Sequence, residues 1–534
     1  MLSDSEQWDY IIVGGGSAGC AVAGRLSEDP ATRVLLLDAG RSDAHLFSRV
    51  PAAIGFAIEN QSMNWNYKAE SDASRGNRVD MWPAGRLLGG GSSINGMMYV
   101  RGNRRDYDHW ESLGNPGWGF DGVLPYFRKL EDNERGANEF RGAGGPVAVS
   151  EVRIESELTD AFVEGMVELG VSRADDLNGE SQDGVDYCQV TQSRGFRQST
   201  AKAYLSPARN RRNLRVQLGA FVERVKFDGQ EAKQVEYSLG GQKATVSATR
   251  GIIVSAGAIA SPKILLLSGV GDSKILAGLG IETVSDLRGV GNNLQEHPGV
   301  ILSAHVTKRT LTSDRNPFRA LMHGANYLLR GRGPLSNPVG HAHCFIRTRE
   351  SLAAPNVQII FSPLSYDHHE GGATPYTKPA INLAVGLCHV HSRGQIRLAS
   401  REPEKHPVID YSLLDDDDDV QQLLEGIRFA RQLYTTQSFG QYFKDERKPG
   451  GEYQTDAALI DCIRRQSFLM YHPSGTCKMG PDKDAVVGAN LKVHGVDGLW
   501  VADASIFPTI PSGNINASVI MVGEKAADLI RGCS

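Results

Sequence analysis

Residues 8–40, WDYIIVGGGSAGCAVAGRLSEDPATRVLLLDAG, restrict the fold more than any other stretch of the chain. Tyr10 to Val13 is a short β-prone run of the kind found in a buried parallel strand. It enters Gly14-Gly15-Gly16-Ser17-Ala18-Gly19, which satisfies G-x-G-x-x-G, and a helix-compatible run of small residues follows. A second strand, Val34 to Leu37, then ends in Asp38, 24 residues after Gly14. Each position has a physical task. Gly14 permits the tight turn, Gly16 lets the backbone approach a pyrophosphate, and Gly19 allows the helix to pack closely on the strand. The helix start at Ser17 and Ala18 offers amides and a positive dipole end to phosphates. Asp38, with Ala39 beside it, stands where an acid takes ribose hydroxyls. Glycine spacing alone is a weak signal; strand, turn, helix, strand and acid in this order predict a dinucleotide site. At this point NAD and FAD both fit.

The rest of the chain narrows the class. Its 534 residues predict two to four packed units rather than one core. With 40% hydrophobic and 22% charged residues the composition is that of a globular protein. A net charge of -5 argues against a nucleic-acid surface, and the local basic run Arg101 to Arg105 reads as a solvated face or an anion contact. No window approaches the ~18 continuous apolar residues of a membrane span, which leaves peripheral membrane contact open. The N-terminus shows neither a basic region nor a cleavable apolar segment. Seven cysteines without a C-x-x-C make a zinc ribbon or dithiol centre unlike this chain and predict a reducing, cytoplasmic setting.

Further motifs bring a family into view. GRLLGGGSSINGMMYVRG (85–102) and GAIASPKILLLSGVG (257–271) resemble the two signatures of the glucose–methanol–choline (GMC) flavoprotein oxidoreductases. GVGNNLQEHP (289–298) resembles another family segment, with Glu296 where aspartate is usual. SRGQIRLAS (392–400), YHPSGTCKMG (471–480) and residues 498–530 resemble the substrate-domain edge and the C-terminal catalytic region, all in family order. The match is nearest the choline dehydrogenase-like and aryl-alcohol oxidase-like branch.

This resemblance implies an α/β fold, α+β overall. A Rossmann-like FAD domain would be assembled from 1–155, 216–297 and 465–534. A substrate domain, 156–215 and 298–464, would contribute an antiparallel sheet with flanking helices. It also implies FAD as cofactor. Gly89 to Ser93 supplies bare amides and hydroxyls for phosphate or flavin edges. Arg86, Gly90 and Gly91 would hold the cofactor, Asn95, Gly96, Met97 and Met98 would lie along the ring system, and Val222 would meet the adenine through its backbone. Asp503, with Ala504, matches the family position near the ribityl chain and pyrophosphate. Some relatives attach FAD through a histidine directly after the Ser-Ser pair; Ile94 stands there, which predicts non-covalent FAD.

His472 precedes proline in the family's H-P-x-G-T and would be the catalytic base, with Asn514, 42 residues on, as its partner. A neutral imidazole takes a hydroxyl proton near neutral pH, and an asparagine bonds the same oxygen without competing for that proton. Ile515 departs from the usual residue at its place. A helix over Ala517 to Ile530 would aim its positive end at the flavin. Met470 and Tyr471 are pocket candidates. His341 is placed where choline-oxidising relatives carry a glutamate, which favours a neutral primary alcohol, aromatic or aliphatic, over choline. Pairs His341/His343 and His389/His391 lack the carboxylate or thiolate that would complete a metal site, so none is expected. Asp415 to Asp419 reads as a solvated turn before a helix starting at Val420.

The expectation is oxidation of a primary alcohol to its aldehyde, with oxygen or a quinone-type acceptor, by a monomer or homodimer. The alternatives are a choline-type dehydrogenase, or a family lyase or photoenzyme that uses FAD without net alcohol oxidation.

Overall fold

The computed structural model describes residues 7–313, 317–369 and 372–532. Residues 1–6, part of the leader reading, and Cys533 lie outside these. Two seven-stranded sheets organise the chain. In the first, Leu214–Leu218, Val34–Asp38, Gln7–Val13 and the long strand Gln242–Val254 run parallel in that order, and Leu499–Val501 joins Gln242–Val254 in parallel. Glu231–Leu239 and Ala220–Asp228 extend this sheet antiparallel. Val34 to Leu37 and Ile11 to Val13 are buried on both faces, which is why they read as unbroken apolar runs. The carboxyl ends of the parallel strands, at Val13, Asp38, Ser255 and Asp503, all reach one cavity, where open α/β sheets bind ligands.

The second sheet is antiparallel, in the order Phe443–Lys448, Pro298–Val306, Ala380–Leu387, Val357–Ser362, Ala342–Ile346, Gly184–Tyr187. Ile360 faces Ala384 and Ser362 faces Asn382 across one strand pair, and these four line the same cavity. Alternation turns Val357 and Val385 to the opposite face, where Gly426 of helix Asp417–Gln432 meets both. The expected α/β architecture with a separate antiparallel sheet is what forms. Its seams sit slightly off the expected ones: Leu214 already belongs to the first sheet, and Phe468–Leu469 pairs with Pro298 and Gly299 of the second.

The acidic run needs correction. The helix starts at Asp417 with Asp416 as its cap, but Asp419 is fully buried and accepts from the His391 and Ser392 amides. It is a structural acceptor, not a solvated charge.

Candidate active site

A cavity of about 1120 Å³ runs between the two sheets, from the glycine-rich turn to His472. That exceeds the usual volume for a drug-sized ligand and leaves room for a dinucleotide plus a small substrate. Every residue expected to bind cofactor lines it except Gly19. Gly19 serves packing instead, since a Cβ there would stand 2.0 Å from the Gly14 carbonyl oxygen. Gly14 has φ of +99° and could not carry a side chain beside Ser255. At Gly91 and Gly257 a Cβ would meet nothing within 4 Å, so both leave bare backbone facing open cavity. The residues present therefore fit FAD.

Two helices start at this wall. Ser17–Leu26 and Asn516–Gly532 are joined at their N-termini by the Ser17 hydroxyl donating to Asn516 Oδ1 at 2.7 Å. Their positive ends converge where a pyrophosphate and an electron-rich ring would be held. Asp38 has a task the sequence did not suggest. Its two oxygens accept from the Gly15 and Gly40 amides at 2.7 Å, so the acid ties the turn as well as facing the cavity. Burial raises its pKa, against which those two amides pull down. Asp503 likewise accepts from the Gly257 amide and the Ser261 hydroxyl, holding the second glycine turn to the late strand.

At the other end His472 is buried, and burial pushes its pKa down to about 3, so it is neutral. Its backbone N–H donates to both oxygens of Glu296 at 2.8 Å, while the preceding Tyr471 is held at φ of +65°. Non-glycine residues adopt that left-handed conformation rarely, and here the Glu296 grip fixes it. The ring geometry assigns the protons. His297 Nε2 lies 3.0 Å from the Cys388 carbonyl, which only accepts, so that nitrogen carries the hydrogen. Burial also keeps His297 neutral, its pKa well below the usual value. Its Nδ1 is then an acceptor, and His472 Nδ1, 3.0 Å away, donates to it. His472 Nε2 is left unprotonated, its lone pair available to a donor. Asn514 Nδ2 stands 3.3 Å from that nitrogen, and Asn514 Oδ1 accepts from Gln358 Nε2 at 3.3 Å, which orients the amide.

His297, Glu296 and Gln358 were not singled out as site residues. The segment NLQEHP was noted, but a partnership across 175 residues leaves no local trace. Arg197 was missed as well; buried, it donates to the Ser48 and Ser92 carbonyls and to Asn95 Oδ1, clamping the turn at Gly89 to Ser93.

Met470 and Tyr471 line the cavity as expected, but His341 does not. It lies just before its strand, bonded to Asn337 and Thr159, in a separate small pocket. His343, two residues on, instead contacts Gln358, so the pair shares no ligand. Among the described residues no group of three His, Cys, Asp or Glu side chains could hold a metal ion.

The GMC oxidoreductase N-terminal domain matches residues 8–299 and the C-terminal domain residues 390–523. Mitochondrial choline dehydrogenase of Mus musculus is 39% identical over 537 residues, covering 99% of this chain and 90% of that protein. Oxygen-dependent choline dehydrogenase of Escherichia coli K12 is 40% identical, covering 98% and 96%. Among solved structures, pyridoxine 4-oxidase from Mesorbium loti superposes with a TM-score of 0.88 at 31% identity, covering 98% of each chain. A formate oxidase of Aspergillus oryzae RIB40 gives 0.92 at 27%, covering 99% of each. The chain belongs to the GMC oxidoreductase family, and is an FAD-dependent oxidoreductase acting on alcohol donors.

Proposed function

We propose that this enzyme oxidises a neutral primary alcohol to its aldehyde, with His472 as base, Asn514 as partner to the alcohol oxygen, and FAD held without a covalent link. The observation that carries this reading is the unprotonated His472 Nε2, set by the His297–Cys388 chain and accepting from Asn514 Nδ2 at 3.3 Å, the donor that an alcohol oxygen would take over. An alcohol entering there donates its O–H to Nε2 and accepts from Asn514 Nδ2. When bound, FAD supplies the hydride acceptor for the carbinol hydrogen. As the O–H proton moves to Nε2, His472 becomes cationic and keeps donating from Nδ1 to neutral His297. Gln358 stops Asn514 from turning its oxygen toward the substrate oxygen. Ile94, lining the cavity after Ser93, is a hydrocarbon with no atom to link to a flavin.

Neutrality of the substrate rests on the wall around His472. Among the described residues that line the cavity with it, Ile360, Tyr366, Asn382, Ala384, Met470 and Tyr471 carry no carboxylate to pair a cation. His341 lies in a separate pocket and has no bearing on substrate charge. Choline is the second reading, favoured by the choline dehydrogenases that are 39–40% identical. A cytoplasmic setting remains part of the proposal; the six described cysteines are all buried free thiols.

Anaerobic mixing of the yellow holoenzyme with benzylic, furanic and linear alcohols and with choline tests this directly. Bleaching of the flavin by neutral alcohols, faster than by choline, is expected. Bleaching by choline alone would favour the second reading, and no bleaching by any alcohol would favour the lyase or photoenzyme. Admitting oxygen, then a quinone, to the reduced enzyme identifies the acceptor.

A further inference from the structure

Helix Pro317–Arg330 is amphipathic in the wrong sense for a free surface. A surface helix normally turns its apolar stripe to the core. Here Phe318, Leu321, Met322, Leu328 and Leu329 are exposed by 69%, 72%, 56%, 76% and 85%. Their spacing makes one continuous stripe, and Arg319, His323, Asn326 and Arg330 form the stripe beside it. The helix is fastened to the body near its C-terminal end. Tyr327 is buried against Phe196 with ring centroids 4.9 Å apart, and Asn326 Nδ2 donates to the Arg332 carbonyl. The turn that follows, Pro334–Ser336, packs on Pro51–Ala53. From that junction Leu335 and the 60% exposed Phe56 line the cavity itself. The outward apolar face thus continues to the rim of the active-site cavity.

We propose that this helix lies in the surface of an anionic lipid bilayer and seats the cavity mouth against it. Charge selects this occupant. In a chain of net charge -5, residues 317–332 hold three arginines, Arg319, Arg330 and Arg332, and no acid. An apolar stripe of Leu, Phe and Met beside a basic one is the pattern of interfacial helices, whose binding adds buried apolar area to attraction for anionic headgroups. A second copy of the chain fits less well: an antiparallel helix pair about a twofold axis would bring Arg319 of each copy toward Arg330 of the other. No described helix is long and apolar enough to cross a membrane, so the contact lies on the bilayer surface.

Sedimentation of the FAD-loaded enzyme with vesicles tests the proposal. The probes are phosphatidylcholine alone and phosphatidylcholine with phosphatidylglycerol as about one third of the lipid. Expected is binding to the mixed vesicles that weakens with added salt, at least ~10-fold weaker binding to phosphatidylcholine alone, and at least ~10-fold loss in Leu328→Asp/Leu329→Asp. The milder Leu321→Ser should lose part of it. Both variants should keep flavin absorbance and alcohol oxidation in solution, because none of these residues lines the cavity. Absence of binding, equal binding to both vesicles, or binding unchanged in the variants would overturn the proposal. So would a solution dimer that the substitutions dissociate, which would assign the face to a second copy.

Discussion

His472 depends on a neighbour for its role. A histidine has two ring nitrogens, and which one is bare follows from what the other bonds. The Cys388 carbonyl fixes His297, and His297 fixes His472 with Nε2 unprotonated. His297 is a positioning residue, and this account predicts the outcome of replacing it. His297→Ala should slow flavin reduction by alcohol by roughly 10-fold or more while FAD stays bound, since misplacement of a reacting group carries penalties of that order. His297→Gln, which restores an acceptor for His472 Nδ1–H, should recover part of the rate. Equal loss in both variants would assign His297 a packing role only. Positions on the cavity wall were legible where a motif carries local chemistry, as at Gly14, Asp38, His472 and Asn514. Glu296, His297 and Gln358 were not, because their contribution is contact with residues far off in sequence. His341 was misplaced because it was matched to the glutamate position of choline-oxidising relatives, whereas it lies just before its strand in a separate small pocket.

Elements were legible where periodicity is strong. The first strand, glycine turn and helix stand where the pattern requires, and the C-terminal helix begins at Asn516, one residue from expectation. What the pattern omits is how helices Ser17–Leu26 and Asn516–Gly532 meet. Gly523 lies against Ala18, where a Cβ would be 2.7 Å from the Ala18 carbonyl oxygen. Gly523→Val should therefore push the two helix starts apart and destabilise the protein by about 1–3 kcal/mol, the usual cost of overpacking. A lowered thermal midpoint together with faster FAD loss is expected. A lowered midpoint with unchanged FAD retention would mean that the two helix starts act independently on the cofactor. The exposed face of Pro317–Arg330 shows the limit of periodicity, since an apolar stripe in sequence does not say whether it meets the core or the outside.

For the whole molecule, two sheets closing on one cavity could be inferred from motif order, whereas the seams at 214 and 468 could not, because short strands pair by tertiary contact. Burial on this scale also sets a pH dependence. His341, His343 and His472 are pushed down to about 3, and His297 lies well below its usual value, all chiefly by desolvation. Between about pH 6.5 and 3 the unfolded chain binds protons that these native side chains refuse, so their contribution to stability falls as pH drops below 6.5, while the raised carboxyls of Glu296 and Asp186 act in the opposite sense. Each such histidine adds up to about 1.4 kcal/mol per pH unit. Burial pulls His389 down, but the Asp106 charge and hydrogen bond outweigh it; the resulting raised value acts above pH 6.5 and does not offset the others. Relative to wild type, His341→Gln, remote from the cavity, should lose less thermal midpoint between pH 7 and 5; an unchanged difference would mean His341 is protonated when folded. The central claim, that His472 takes the alcohol proton, has a more direct test in anaerobic rapid mixing of wild type and His472→Ala with the best alcohol. The account predicts that both retain FAD and that the variant's flavin is reduced ~10²-fold or more slowly, the scale of a lost general base; reduction at the wild-type rate would contradict it.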